Sequence, residues 1–218
     1  MQLARPLALI ATLVLSAATA RAADPVEGTD FQAIRPAVPT SDASKIVVTQ
    51  FFSYQCPHCY RFEKSFTAWS ASLPEDVKVE RAAVAIGHAA WVAPAQAYYA
   101  LSAMNKVPAI DDAFFSAVHR KGRRLTDEAS IAAWVAEQGI DRAEFEKAYR
   151  SFSVQLQTKR ADELSRKVRL PSVPTIVVDG KYLVPIKDDG DFRDQLSILN
   201  TLIERARGER GAAKPASP

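Results

Sequence analysis

The only two cysteines of the chain lie three residues apart. Cys56 and Cys59 enclose Pro57 and His58. Residues i and i+3 of a helix have Cβ atoms about 5–6 Å apart, a separation that a disulfide tolerates after a small adjustment. A bridge that closes so short a loop removes little entropy from the unfolded chain. Reversible opening and closing of the bridge therefore explains the pair better than a contribution to stability does.

The residues on either side predict that Cys56 caps a helix. A β-branched and aromatic run at residues 46–52 predicts a buried strand before the cysteines, and apolar side chains at helical spacing follow them: Phe62, Phe66, Trp69 and Leu73. Because proline is favoured at the first helical position, Pro57 places Cys56 at the N-cap. The free N–H groups and positive dipole of the helix end would then lower the pKa of the Cys56 thiol below about 8.5. Cys59, one turn further on, is expected to be the more buried partner.

His58 lies where it can tune the pair. Its ring can donate a hydrogen bond or carry positive charge near the Cys56 thiolate. A stabilised thiolate stabilises the reduced form, and this makes the disulfide a stronger oxidant. In the predicted cycle, a substrate thiolate attacks Cys56 of the disulfide and releases Cys59. A second substrate thiol then displaces Cys56 from the mixed disulfide.

A structural disulfide and a metal site are the alternative interpretations of the pair. A closed zinc site needs four ligands, and Cys56, Cys59 and His58 supply three at most. His88 or His119 would have to complete it, and we interpret both as ordinary histidines. The sequence therefore predicts neither a metal nor another cofactor.

The first residues of the chain predict export. Residues 1–22 combine a weakly positive start, an apolar run at residues 7–20 and small residues before a cleavage point, which is typical of a signal peptide. The run is shorter than the ~20 residues of a membrane span, although an uncleaved anchor is the alternative. Disulfides persist in the oxidising compartments that exported proteins reach. Outside this leader, basic and acidic residues are interspersed, so no nucleic-acid-binding surface is predicted.

The remaining pattern predicts an α/β fold with an all-helical insertion. A strand, a helix and a second strand precede residue 87, and β character returns after residue 169 with a hairpin signal at Asp179-Gly180. Four helices are predicted between them, at residues 94–104, 113–120, 127–138 and 141–168, and a last helix at residues 192–206. The predicted units are residues 23–86 and 169–207 for the α/β domain, 87–168 for the insertion and 208–218 for a disordered tail.

A second short motif precedes the later β region. Val173-Pro174-Thr175 can be a plain turn before a strand or a cis-proline facing the cysteines. Because cis X–Pro bonds are uncommon, about 5–6% of such bonds, the residues alone leave both interpretations open.

The two motifs together resemble those of a known family. Residues 51–63, FFSYQCPHCYRFE, resemble the active-site segment of the DsbA family of periplasmic disulfide oxidases, and Val173-Pro174-Thr175 resembles its cis-proline loop. The order of elements is similar across nearly the whole chain after the leader. The resemblance implies a thioredoxin fold, Cys56 as the attacked sulfur, Cys59 as the resolving cysteine and His58 as the tuner of oxidising power.

The resemblance also implies substrates and partners. Pro174 would be cis and packed against the cysteines, and the Val173 backbone would pair with an extended substrate segment. Substrates would be newly exported proteins with free thiols, and a quinone-linked membrane partner of DsbB type would reoxidise the protein. A monomer in the periplasm is expected.

One position departs from the family's pattern. The best-known members carry a buried acidic residue in the strand before the cysteines, whereas this chain has Gln50. A buried acid can relay protons to or from the second thiol, and an amide cannot. Arg81 is a candidate for the basic residue that pairs with the acid in the family. The departure concerns proton handling at Cys59 and leaves the thiol exchange itself in place.

Two other functions remain open. The first is a reductase or isomerase of the same fold, although Pro57-His58 favours an oxidase and no extra N-terminal dimerisation domain is evident. The second is a non-enzymatic module whose groove near Phe51, Trp91 and Val173 captures apolar peptides or a metal.

Overall fold

The computed structural model describes residues 24–187 and 191–213. The leader predicted at residues 1–22 lies outside this part of the chain. A five-stranded sheet forms the centre of the described part, in the order β1-β5-β4-β2-β3. The strands are β1 (Gln32–Ala33), β2 (Ile46–Phe52), β3 (Val77–Ala83), β4 (Thr175–Val178) and β5 (Tyr182–Pro185). The predicted central strand at residues 46–52 is confirmed.

Seven helices complete the described part. They are α1 (Pro57–Ser70), α2 (Ala89–Ala103), α3 (Val107–His119), α4 (Glu128–Glu137), α5 (Arg142–Tyr149), α6 (Phe152–Lys167) and α7 (Arg193–Ala213). Helices α2 to α6 all lie between β3 and β4, which confirms the predicted α/β fold with a helical insertion. None of the helices in residues 24–187 and 191–213 is long and apolar enough to cross a membrane.

Strand β2 holds the sheet together because it has a partner on each side. It pairs in parallel with β3, from Ile46 opposite Val77 onward, and antiparallel with β4. The parallel pair requires a crossover, and α1 supplies it. The carboxyl end of β2 therefore leads directly to the start of α1, where the two cysteines lie.

The sheet separates two apolar cores. On one face, α1 and α7 pack on the sheet through residues such as Phe62, Phe66 and Leu199. The other core joins the opposite face to the insertion and includes Trp134 and Phe145. Trp69, Trp134 and Phe145 are all buried in these cores.

Two helical segments differ from the sequence predictions. The single helix predicted at residues 141–168 is two, because Ser151 caps a new start by accepting a hydrogen bond from the Val154 N–H. Helix α2 begins at Ala89, ahead of the predicted start at Pro94, which lies inside the helix. Its apolar composition gave no periodic signal for that first turn.

The C-terminal prediction was wrong in part. Residues 208–213, expected to belong to a disordered tail, continue helix α7. Arg210 pairs with Asp179 and donates to the Ala43 carbonyl at 2.7 Å, and Glu209 accepts from Lys181 at 2.9 Å. These contacts fasten the last turns of α7 to the sheet, although the composition of the segment is typical of a tail. The rest of the predicted tail, residues 214–218, lies outside the described residues.

The hairpin between β4 and β5 confirms the Asp179-Gly180 turn. Both residues have positive φ, 54° and 64°, which is typical of the type I′ turn that suits the twist of the strands. Gly180 is also needed for space, because a Cβ there would lie 1.9 Å from the Val38 carbonyl oxygen. The Gly180 carbonyl accepts a hydrogen bond from the Val38 N–H at 2.9 Å.

We expect Gly180→Ala to lower the free energy of unfolding by clearly more than Gly122→Ala does. Gly122 is the matched control, because its φ of 63° is almost the same and a Cβ there meets no atom within 4 Å. Gly122→Ala should cost only the left-handed strain, about 1–2 kcal/mol. Urea denaturation of both variants measures the difference, and equal losses would show that the Val38 contact is unimportant.

Candidate active site

Cys56 occupies the N-cap of α1, as the sequence predicts. Its φ and ψ of −89° and 116° are extended, and Pro57 is the first helical residue. The Cys59 backbone N–H donates to the Cys56 sulfur, with 3.4 Å between N and Sγ. The helix start therefore directs a free N–H group at this sulfur, which is the contact that a thiolate prefers.

The two thiols differ in acidity. The pKa of Cys56 is lowered to about 6, first by a hydrogen bond from the Cys59 thiol and then by the N–H groups of Cys59 and His58 and the charge of His58, against the opposing effect of burial. Burial, and next the neighbouring Cys56, raise the pKa of Cys59 well above its ordinary value. Cys56 is thus the thiolate at neutral pH, while Cys59 keeps its proton.

The second predicted motif lies against the first. The Val173–Pro174 peptide bond is cis, and the Cys56 Sγ lies 3.3 Å from the Val173 carbonyl oxygen, to which it donates while it is protonated. Thr175 follows at the start of β4, where its hydroxyl donates to the Ser172 carbonyl at 2.9 Å. The fold thus brings together two motifs that are 117 residues apart in the chain.

The residues between the cysteines face solvent. Pro57 and His58 are exposed, whereas Cys59 is completely buried beneath them. The His58 ring nitrogen Nδ1 lies 2.9 Å from the Arg61 guanidinium, one turn along α1. The start of α1 is therefore exposed to solvent on the His58 side.

Gln50 and Arg81, both singled out from the sequence, belong to a buried polar cluster whose other members, Glu63, Asp111 and Tyr54, the sequence did not predict. Arg81 lies opposite Gln50 in the β2–β3 pairing, and its Nε donates to the Gln50 Oε1 at 2.7 Å. Its other two nitrogens bind carboxylates: Nη2 lies 3.0 Å from Glu63 Oε2, and Nη1 lies 2.8 Å from Asp111 Oδ2. The Tyr54 hydroxyl donates to Asp111 at 2.5 Å. Gln50 therefore binds the same arginine that Glu63 neutralises.

The position of Glu63 in the sequence already indicates a buried acidic side chain. It stands four residues after Cys59, between Phe62 and Phe66 on the apolar side of α1, where an acidic residue is unexpected. Only 4% of its surface is exposed. Burial raises the pKa of Glu63 to about 7 against the attraction of Arg81, and the negative charge of Asp111 acts in the same direction as burial.

Other residues singled out from the sequence have structural roles. Phe51 is completely buried in the core. The Trp91 ring packs on His88, 4.4 Å between centroids. His119 contacts the Tyr54 carbonyl at 2.8 Å through Nε2 and stacks on Tyr60. Within residues 24–187 and 191–213, no group of three or more His, Cys, Asp and Glu side chains could hold a metal ion.

This geometry defines a class of protein. A pair of cysteines at the start of a helix, facing a cis-proline loop across the end of a central strand, is the arrangement of a thiol–disulfide oxidoreductase with a thioredoxin fold. The acidic outer thiol and the buried inner thiol suit such exchange.

Comparison with known proteins gives the family. Residues 47–197 match the model of the DSBA-like thioredoxin domain. The thiol:disulfide interchange protein DsbA of Azotobacter vinelandii is 38% identical over 170 residues, 78% of this chain and 79% of its own length. That of Pseudomonas syringae is 35% identical over 197 residues, 90% of this chain and 92% of its own length.

Solved structures agree. The crystal structure of Pseudomonas aeruginosa DsbA superimposes with a TM-score of 0.79 at 32% identity, over 84% of this chain and 94% of the other. That of DsbA from Xylella fastidiosa gives 0.77 at 31% identity, over 84% and 98%. The chain belongs to the DsbA family, and its activity is that of a thiol:disulfide oxidoreductase.

The low pKa of Cys56 predicts a pH-dependent stability of the dithiol form. Its folded pKa of about 6 lies below the unfolded value of about 8.5, so the stabilisation is complete above the unfolded value and is lost as the pH falls through 6. Relative to reduced Cys56→Ser, the unfolding free energy of the reduced chain should rise between pH 6 and 8 by up to about 1.4 kcal/mol per unit. Denaturation at several pH values measures it, and a constant difference would contradict a depressed pKa.

Proposed function

We propose that the protein donates its Cys56–Cys59 disulfide to newly exported proteins that carry free thiols. A substrate thiolate attacks the Cys56 sulfur, and the Cys59 sulfur leaves with the electron pair of the disulfide. A second substrate thiolate then attacks the substrate sulfur of the mixed disulfide and expels the Cys56 thiolate. The substrate has lost two electrons, and the protein is left as a dithiol.

The observation that carries the proposal is the position of the Cys56 sulfur at the N-cap of α1, where it accepts hydrogen bonds that lower its pKa. A sulfur of low pKa is a good leaving group, so the second step of the cycle is fast. The same stabilisation of the thiolate favours the dithiol over the disulfide, and so makes the disulfide a ready electron acceptor. Pro57 fixes the helix start that exposes the N–H groups to Cys56, and His58 adds positive charge from the exposed side.

The cis-proline loop is proposed to receive the substrate chain. The Val173 carbonyl that Cys56 contacts is the group an extended peptide could pair with by strand addition, while Pro174 and Thr175 hold the loop beside the cysteines. The lining of a groove of about 610 Å³ includes Leu170, three residues before Val173 in the chain, and combines apolar residues such as Ile86 and Val92 with the charged Asp162, Arg166 and Arg169. Such a mixed lining can receive both apolar and charged side chains of an unfolded polypeptide.

The location and partners follow from the family. The DsbA proteins are periplasmic, and the leader predicted at residues 1–22 would deliver this chain there. Reoxidation by a quinone-linked membrane partner of DsbB type would restore the Cys56–Cys59 bridge. We propose that the protein acts as a monomer.

The redox equilibrium of the cysteine pair with glutathione buffers tests the direction of transfer. A donor should show a midpoint less negative than about −200 mV, because its thiolate form is stabilised. A midpoint near the about −270 mV of thioredoxin would identify a reductase and overturn the donor proposal. Tryptic peptides of the acid-quenched protein report the fraction that is bridged.

Single-cysteine variants test the assigned roles. We expect Cys56→Ser to be unreactive towards a disulfide substrate at neutral pH, because the buried Cys59 thiol keeps its proton. Cys59→Ser should react at Cys56 and accumulate the mixed disulfide, because no resolving thiol is present. Mass spectrometry separates the two results. Accumulation in the Cys56→Ser variant instead would reverse the assignment.

A further inference from the structure

The exchange proposed above requires that Cys59 gain and lose a proton in a site without solvent access. Cys59 is completely buried, and its pKa is raised, so a thiolate formed there is unstable until it is protonated. Gln50, in the strand before the cysteines, has no titratable group. Another residue must therefore exchange the proton if the buried thiol is to react at neutral pH.

We propose that Glu63 exchanges the Cys59 proton with solvent, through a groove between α1 and α3. This inference rests on the proposed function, because it assigns a proton path to the resolving cysteine of that reaction.

The position of Glu63 on α1 supports the assignment. Residues i and i+4 of a helix are neighbours on one face, and helical side chains lean towards the N-terminus, so Glu63 leans towards the turn that holds Cys59. The pKa of Cys59 is raised in part by the charge of Glu63, which places the two groups within electrostatic reach. Both are buried on the inner side of the helix.

The charges around Glu63 favour a protonated carboxyl group. Arg81 is the guanidinium that faces it, and this same group also pairs with Asp111, so two carboxyl groups share one positive charge. The other polar groups in contact with this cluster are neutral: Gln50 from β2, Thr67 from α1, and the phenols of Tyr54 and Tyr98 near Arg81. The groove beside Glu63 also carries charges of both signs, which belong to Arg61, Lys64, Asp112 and Arg120. With one proton on Glu63 the cluster is neutral, and near pH 7 that proton is readily lost and regained.

A route connects Glu63 to water. An open groove of about 810 Å³ lies between α1 and α3, and Glu63 and Thr67 are among the residues that line it. The Thr67 hydroxyl lies 3.2 Å from Glu63 Oε1, the carboxyl oxygen that Arg81 does not bind. Protons can therefore reach Oε1 from the groove while Oε2 remains fixed by the arginine.

The proton step balances in both directions. When a substrate thiolate opens the disulfide, the departing Cys59 thiolate takes the proton of the Glu63 carboxylic acid, and solvent reprotonates the carboxylate. In the reverse direction, the Glu63 carboxylate accepts the proton of the Cys59 thiol. The Cys59 sulfur then attacks the Cys56 sulfur of a mixed disulfide, and the sulfur of the other molecule leaves as a thiolate.

The reaction of the reduced protein with oxidised glutathione distinguishes the steps that the two thiols carry out. Cys56 attacks first and forms a glutathione mixed disulfide, and Cys59 then resolves it. For Glu63→Gln we expect formation at the normal rate but resolution slowed at least about tenfold at pH 7, since a general base contributes about 10²–10⁴-fold. The inflection near pH 7 in the resolution rate should disappear. Acid quenching and mass spectrometry measure both steps.

Three control variants distinguish proton exchange from a structural role. Lys64→Gln changes an exposed neighbour in the same groove and should leave both rates unchanged. Asp111→Asn removes the negative charge that raises the pKa of Glu63, so it should move the inflection to lower pH. Glu63→Asp keeps a titratable group and should keep an inflection, which also tests the proposal if Glu63→Gln fails to fold.

Two failures of this experiment have different meanings. If Glu63→Gln resolves the mixed disulfide at the normal rate and with the normal pH profile, Glu63 does not exchange the proton, while the donor function stands. If oxidised glutathione produces neither the mixed disulfide at Cys56 nor the Cys56–Cys59 bridge in the unaltered protein, the proposed function itself is wrong.

Discussion

The contact between the Cys56 sulfur and the free N–H groups at the start of α1 is the interaction on which the site depends. Together with the hydrogen bond from the Cys59 thiol, it lowers the pKa of the outer thiol, and Pro57 at the first helical position and the end of β2 a few residues earlier set its place. The parallel β2–β3 pair fixes where α1 starts, and the antiparallel β2–β4 pair brings the cis-proline loop against the same sulfur. The sheet therefore positions the start of α1 against the cis-proline loop.

The inner thiol has the opposite environment. Cys59 lies among apolar residues that raise its pKa, and below it a single guanidinium, Arg81, joins β2, β3, α1 and α3 through Gln50, Glu63 and Asp111. Breaking such a buried network leaves an unpaired charge, so its members are expected to be coupled. The arrangement also carries one carboxyl more than it has positive charges to neutralise, and a carboxyl group with a pKa near 7 results. Structure and proton handling thus depend on the same residues.

The helical insertion contributes to the site although it carries neither cysteine. Helix α3 supplies Asp111 to the polar cluster and Phe115, which packs near Tyr60, while His119 at its end contacts the Tyr54 carbonyl. The insertion also places its last helix, α6, shortly before the cis-proline loop. Its five helices therefore close one side of the active end of the sheet and leave the His58 side open.

Elements with local signals could be predicted from the amino-acid sequence. The run at residues 46–52, Pro57 after Cys56, and Asp179-Gly180 each encode a strand, an N-cap or a turn within a few residues, and these predictions were confirmed. Contacts between residues that are distant in the chain could not be predicted in this way. Glu63 acquires its raised pKa from burial and from Asp111, and residues 208–213 are helical because Arg210 finds Asp179 across the fold. Desolvation and long-range pairing depend on the packed chain, and no local pattern reports them.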